Sequence, residues 1–563
     1  MAFRLGKLRG ALRKKVEHQD QLLPEFLIRT PRSFVTLPEI RDISKADIRY
    51  PLIEPMVYAH IRWLPEEKKL LYEVEEPILN QREQEILKNV EEAIETLLDV
   101  KLTAVRHRHQ AIAYLEQKVK QVLHETRTEL SNDSYIRIFY YLFRNFIGLN
   151  EIEAMMHDPY IEDIGCPGFR DSVYIVHRKF GSLQTNVSFS EMEGLTNFVV
   201  KLAERTGRYI SYATPLLDGS LPDGSRVQAT MSKDVTTKGP TFSIRKFRRN
   251  PLSPVDMVKL GTASPTLLAY LWTLIEAGSS ILVCGATSTG KTTFLNVLSM
   301  FIPLERKIIS LEDTRELSLP HENWIPAVTR PGFGPPEQNG KRYGEVDLFD
   351  LLKESFRQNP DYVVVGEVRG EEAYVLFQGM SSGHPSLGTI HAGSAEDVVK
   401  RLETPPISLS PTLLEALDAL VVMINVGEKG KSARRIEEVA EIERVDAQTG
   451  QVKTAKPFFW LPNVDEFRED IDLSVVLKRI AFRKGKSLHE LVAELNRKRR
   501  VLEWMASHDM VYYKDVASVI NLYYKDPAQV MGWVAGNVHP DAATKHQADA
   551  KKSVTGLRFL KAG

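Results

Sequence analysis

Gly285-Ala286-Thr287-Ser288-Thr289-Gly290-Lys291-Thr292-Thr293 is the stretch whose reading decides the fold. It follows the apolar run Ser280-Ile-Leu-Val-Cys284 and precedes Phe294-Leu-Asn-Val-Leu298, which reads as a helix. Strand, glycine-rich turn and helix in that order make a phosphate loop. The glycines let the backbone curl until its N–H groups converge on phosphate oxygens, and the helix N-terminus adds unpaired donors and a favourable dipole. In such a loop Lys291 reaches the β- and γ-phosphates, and the Thr292 hydroxyl holds Mg²⁺.

Around the loop, residues 253–460 alternate helical and strand patterns, as an α/β domain with a mainly parallel sheet does. Strands are predicted at Ile281–Cys284, Lys307–Leu311, Tyr362–Val365, Leu387–His391 and Leu420–Ile424, with an edge hairpin of Val439–Val445 and Val452–Lys456 about a Thr449-Gly450 turn. Hydrolysing a triphosphate requires a placed metal, an activated water and neutralised charge. In a parallel sheet, ligands bind at the carboxyl edge. Two strands end there in acids: Ile308-Ile-Ser-Leu-Glu-Asp313, with Glu312 and Asp313, and Asp361-Tyr-Val-Val-Val-Gly-Glu367. Glu367 falls one residue late for a standard metal-binding strand because Gly366 intervenes. Gly383-His-Pro-Ser-Leu-Gly-Thr-Ile-His391 is expected to bring His384 and His391 to the same edge. Two histidines without a cysteine or a spaced third ligand argue for phosphate sensing and against zinc.

On the N-terminal side, residues 1–55 form a basic, extended segment. Its first fifteen residues hold six Lys/Arg and no acid, so they either lie on an anionic membrane surface or are simply solvated. Residues 56–150 read as a small α+β domain: a hairpin of Val57–Trp63 and Lys69–Val74, a helix opened by an Asn80/Glu83 capping box, a second helix over 104–129 and an aromatic-rich third, Ser134–Phe146. Residues 151–252 form a second α+β domain. It has strands at Ile161–Ile164, Val173–His177 and Thr241–Arg245, a helix over 194–206 and turns through Leu221-Pro-Asp-Gly-Ser-Arg226. Arg226 and Arg245 stand beside places of close backbone approach and are equally readable as surface ion-pair partners. Residues 461–563 are a helical extension, with a Ser487/Glu490 capping box and a polar tail.

The chain has 563 residues, 43% hydrophobic and 26% charged, with 74 Lys+Arg balanced by 74 Asp+Glu. That size fits roughly three or four domains, and the charge balance removes any global pull towards nucleic acid. Cys166 and Cys284 are too few for a disulfide framework. No apolar run is long enough to span a bilayer, and the start has no signal-peptide core. These features place the protein in the cytoplasm.

Phosphate loop, Glu312-Asp313 strand, Gly366-Glu367-Val-Arg369 strand and His384-to-His391 strand, in that order, resemble the secretion-assembly ATPases of type II secretion, type IV pili and the archaellum. Pro159-Tyr-Ile-Glu-Asp-Ile164, Leu221-Pro-Asp-Gly-Ser-Arg226 and Phe242-Ser-Ile-Arg245 look most like the archaeal branch. The resemblance is strong over about 150–455, looser over 56–150 and absent over roughly 1–50 and 465–563. It implies a RecA-like motor domain preceded by a sensor-like domain, a hexameric ring, ATP and Mg²⁺ as ligands, and a polytopic membrane platform protein as partner at the inner face of the membrane. It further implies Glu312 as general base, Glu367 at the metal with Thr292, His391 reporting on the γ-phosphate, and Arg226 and Arg245 completing the ATP site from the sensor-like domain. Arg315 and Arg369 are further charge stabilisers on the same basis. Two other functions share the engine: a nucleic-acid translocase, which lacks a basic stripe here, and a non-hydrolysing scaffold, for which Glu312 and Glu367 would be superfluous.

Overall fold

A computed structural model describes residues 42–97, 108–247, 250–330, 332–336, 340–428, 431–446 and 451–538, together with 24, 26–28, 37–38 and 40. The basic first fifteen residues, the Thr449-Gly450 turn, the start of the second helix at 104–107 and the polar tail lie outside the described residues. The chain divides into two compact units, Met1–Phe247 and Arg248–Gly563.

The first unit is built on one nine-stranded sheet. Its strands are β1 (Asp47–Ile53), β2 (Val57–Leu64), β3 (Lys69–Glu75), β4 (Ile161–Cys166), β5 (Ser172–His177), β6 (Gly181–Ser188), β7 (Leu216–Ser220), β8 (Arg226–Thr230) and β9 (Thr241–Arg245), in spatial order β1-β2-β3-β6-β5-β4-β9-β8-β7. β3 alternates between buried and half-exposed positions, the period of two that lets one sheet face pack inward. Residues 56–150 and 151–252 thus contribute strands to the same sheet, joined where β3 runs parallel to β6 at Leu71↔Gln184. The helices are α1 (Gln81–Leu97), α2 (Arg108–Thr126), α3 (Asn132–Leu142), α4 (Glu153–His157) and α5 (Met192–Arg205). The Asn80/Glu83 capping box opens α1, with both reciprocal bonds at 2.9 Å. α3 ends four residues before the predicted Phe146, because Phe143–Ile147 widens into a π-turn. Its rings Tyr135, Phe139 and Tyr140 are wholly buried, as core.

The second unit holds another nine-stranded sheet, ordered β12-β11-β15-β16-β10-β17-β18-β19-β20. Its strands are β10 (Ile281–Gly285), β11 (Ile308–Glu312), β12 (Trp324–Val328), β15 (Tyr362–Val368), β16 (Ser386–His391), β17 (Ala419–Glu428), β18 (Lys431–Val445), β19 (Val452–Leu461) and β20 (Glu466–Glu469). β13 (Phe333–Pro336) and β14 (Arg342–Tyr343) form a separate ribbon. The strands from β12 to β17 are parallel, and β17 to β20 form an antiparallel meander. The β18–β19 hairpin is therefore not the sheet edge that its turn predicts; the short, polar β20 pairs outside it. β10 is buried at every position, with Ile281 and Val283 in one core and Leu282 and Cys284 in the other, as a strand covered on both faces must be.

The helices of this unit are α6 (Pro254–Lys259), α7 (Pro265–Glu276), α8 (Lys291–Ser299), α9 (Leu348–Arg357), α10 (Glu372–Ser381), α11 (Ala395–Glu403), α12 (Val475–Arg483), α13 (Leu488–Ser507), α14 (Tyr513–Lys525) and α15 (Pro527–Gly536). The Ser487/Glu490 capping box opens α13. The last four helices share one core with α7: Trp272 stacks on Phe301 at 5.5 Å, and its Nε1 donates to Tyr524 at 2.7 Å. No helix among the described residues is long and apolar enough to cross a membrane.

Candidate active site

β10 delivers the chain to Gly285, where the sheet order leaves β16 on one side and β17 on the other. A Cβ on Gly285 would stand 2.4 Å from the Met423 carbonyl oxygen and 2.6 Å from Thr289 Oγ1, so the loop packs against β17 only because no side chain is there. Ala286, Thr287 and Ser288 are exposed, and Thr289 Oγ1 braces the loop by donating to the Ala286 carbonyl at 2.9 Å. Gly290, with φ 94°, turns the chain into α8 without a side-chain cap, leaving the first N–H groups of the helix uncapped by any side chain. Thr292 and Thr293 lie half-buried in that first turn. Lys291 is 8% exposed; its Nζ donates to the Ala286 carbonyl at 2.9 Å and lies 3.4 Å from His391 Nδ1. Burial lowers the Lys291 ammonium pKa, against the pull of Glu367.

From this loop a chain of charges follows the carboxyl edge through β16, β15 and β11. His391 Nε2 is 3.6 Å from Glu367 Oε1, Glu367 Oε2 accepts from Arg369 Nη2 at 2.5 Å, and Arg369 Nη1 reaches Asp313 Oδ2 at 3.2 Å. Partial burial works against the Glu367 carboxylate. The Arg369 hydrogen bond and the charges of Arg369 and Lys291, joined by His391 once it is protonated at lower pH, outweigh it and hold Glu367 below the usual carboxyl range. His391 is pushed down by burial and by Lys291, which keeps the imidazole neutral at neutral pH.

Glu312 differs from Glu367. It is 2% exposed and its Oε1 accepts from the backbone N–H of Glu316 and Leu317 at 2.8 and 2.9 Å. Burial nevertheless pushes its carboxyl up to about 7, poised between its two protonation states near neutral pH. Gly366 makes room for it: a Cβ there would lie 3.1 Å from Glu312 Cγ. The late position of Glu367 is a register shift between Val365 and Val368, at which the Gly366 carbonyl accepts from Thr389 Oγ1 at 2.6 Å. Such an irregularity re-aims the side chain that follows it.

The other sequence candidates divide. Arg226 and Arg245 are cross-strand partners on β8 and β9 of the first unit. They pair with Asp218 (Nη2–Oδ2 2.9 Å) and Asp163 (Nε–Oδ1 3.1 Å), so the ion-pair reading holds in this structure. Arg315 lies over the Trp324 ring at 5.3 Å. His384 is a correction: it precedes the first residue of β16 and packs edge-on against Phe356, whereas His391 closes the strand. Six extended residues span about 20 Å, so the two histidines stand at opposite edges of the sheet. Two contacts had no sequence signal. Arg401 of α11 donates to the His391 carbonyl at 2.7 Å, and Arg434 of β18 donates to the Ser288 carbonyl at 3.2 Å. Each donates to a backbone carbonyl, a partner that no side-chain spacing announces.

The family model of type II/IV secretion system proteins matches residues 172–447. An uncharacterized protein of Methanocaldococcus jannaschii is 34% identical over 89% of this chain and 92% of its own length. The type IV secretion system protein PtlH of Bordetella pertussis is 32% identical over 42% of this chain and 78% of its own length. Among solved structures, the VirB11 ATPase of the Brucella suis type IV secretion system is 24% identical, covering 50% of this chain and 90% of its own, with a TM-score of 0.26, too low to bear on the arrangement here. The chain belongs to the type II/IV secretion system protein family.

Proposed function

We propose that this protein is an ATP-hydrolysing motor that powers type II-like secretion or the assembly of type IV pilus-like or archaellum-like filaments. It works as a homo-oligomer, a hexameric ring by its resemblance, on a polytopic platform protein at the inner face of the cell membrane. The observation that carries this reading is the order Lys291, His391, Glu367, Arg369, Asp313 along one sheet edge beside the phosphate loop.

Each residue has a role that its surroundings support. Residues 285–293 wrap the phosphates with backbone N–H groups, and Lys291 turns from the Ala286 carbonyl to the β- and γ-phosphates. Thr292 and the ionised Glu367 are hard oxygen donors of the type that Mg²⁺ selects, Glu367 partly through water. Mg²⁺ held there would offset charge on the phosphate oxygens. Glu312 accepts the proton of the attacking water, a task suited to a carboxyl near 7. His391, neutral and 3.4 Å from Lys291, reports the presence of the γ-phosphate to Glu367. By the resemblance alone, and not by their ion pairs to Asp218 and Asp163, Arg226 and Arg245 are assigned to supply charge to the transferred phosphoryl group.

The test is ATPase rate with and without membranes carrying the candidate platform protein, alongside Glu367→Gln. Stimulation by the platform, lost in the variant, is the expected result. Turnover indifferent to membranes but raised by DNA would replace the secretion role with nucleic-acid translocation.

A further inference from the structure

A cleft of about 380 Å³ opens on the flank of the catalytic edge, walled by Arg369, Lys400, Arg401 and Asp397, with Thr404 and the apolar run Pro405–Ile407 closing it. Its walls carry three cations and one carboxylate. Two of those cations are also anchored to the active-site edge: Arg369 to Glu367 and Asp313, and Arg401 to the His391 carbonyl. Lys400 makes no ion pair among the described residues and stands exposed in the last turns of α11. A charge left uncommitted beside two guanidinium groups matches a phosphate anion, whose oxygens guanidinium forks bind bidentately and an ammonium binds as a point charge.

We propose that this cleft is a second phosphate-binding site, the station through which the inorganic phosphate produced at the phosphate loop leaves the catalytic edge. The exit role rests on the ATPase reading above; the binding site does not. Phosphate leaving the vicinity of Lys291, His391 and Glu367 meets Arg369 and Arg401 next, and Lys400 behind them gives it a partner not already held by a protein carboxylate. Phosphate held there competes with Glu367 for Arg369, which makes accumulated product an inhibitor.

Lys400→Glu tests the site, with Lys400→Arg as the charge-conserving control; the residue is exposed and outside the phosphate loop and its acids. Equilibrium dialysis of radiolabelled inorganic phosphate is run with the phosphate loop filled by Mg²⁺ and a non-hydrolysable ATP analogue. Wild type and Lys400→Arg are expected to retain phosphate, and Lys400→Glu to bind it about fivefold more weakly, the scale of one exposed ion pair. Equal binding by all three overturns the site. The exit role is read by comparing single-turnover cleavage with phosphate release to a fluorescent sensor. Lys400→Glu is expected to leave cleavage unchanged and to slow release several-fold; unchanged release overturns the exit role. Absence of cleavage in wild type would overturn the ATPase reading and the exit role, while the dialysis still decides the site.

Discussion

Two of the places where the second unit buries charge are built on opposite plans. Under α7 and the C-terminal helices, Lys498 is wholly buried, paired with Glu276, 3.1 Å from Thr273 Oγ1 and over the Trp272 ring. Nearby, the wholly buried Glu441 accepts from Tyr270, from Ser474 at 2.5 Å and from the N–H groups of Val475 and Val476 at 2.6 and 3.1 Å. There Lys498 is matched by a carboxylate and Glu441 by four hydrogen bonds, which is what makes a buried ion tolerable. At the carboxyl edge, Lys291 rests on a carbonyl of its own loop, Glu367 on an exposed arginine, and Glu312 keeps a carboxyl near 7 despite two hydrogen bonds. The first cluster is saturated; the second keeps partners that can be exchanged.

Lys291→Ala tests the contrast most severely. It is expected to lower turnover about a thousandfold while leaving the melting temperature close to wild type; wild-type-like turnover would sink the site. Lys498→Ala is the mirror experiment. Removing the buried ammonium leaves Glu276 only Lys484 at 3.3 Å and is expected to cost about 2 kcal/mol of stability in denaturant titration, with turnover per folded molecule unchanged at low temperature. A turnover loss as large as that of Lys291→Ala would erase the distinction between the two clusters.

Glu312→Gln keeps an acceptor for the Glu316 and Leu317 N–H groups but cannot take a proton from water. Turnover is expected to fall about a hundredfold with the fold intact. In wild type, turnover should rise with pH as one group deprotonates near 7, and that step should vanish in the variant. Stability has the opposite sign. The folded-state pKa of Glu312 is raised, so its proton favours the fold: the contribution is complete below the ordinary carboxyl value of 4.5 and is lost as pH rises through about 7. Melting temperature between pH 5 and 8 should therefore decline less in Glu312→Gln than in wild type. An identical decline would assign the titration to another group.

Much of this was legible locally. The phosphate loop, the strands feeding it, and the capping boxes at Asn80/Glu83 and Ser487/Glu490 are patterns written within a few residues, where backbone geometry sets the spacing. The ends of elements were less legible. A glycine-histidine-proline lead-in carries no mark of where the strand begins, so the sequence does not separate His384 from the edge of His391, and the π-turn after α3 has no periodic signature.

The sequence by itself determined that a strand, a glycine-rich loop and a helix open an α/β unit and which acids stand near its strand ends, because 2.0- and 3.6-residue periods and turn chemistry are local. Only the tertiary structure decided which of these groups meet. The Arg369 bridge from Glu367 to Asp313, the bend at Gly366 that admits Glu312, and the Arg434 contact with Ser288 join segments far apart in the chain. Such pairings follow from strand order and close packing, to which no short-range spacing is sensitive.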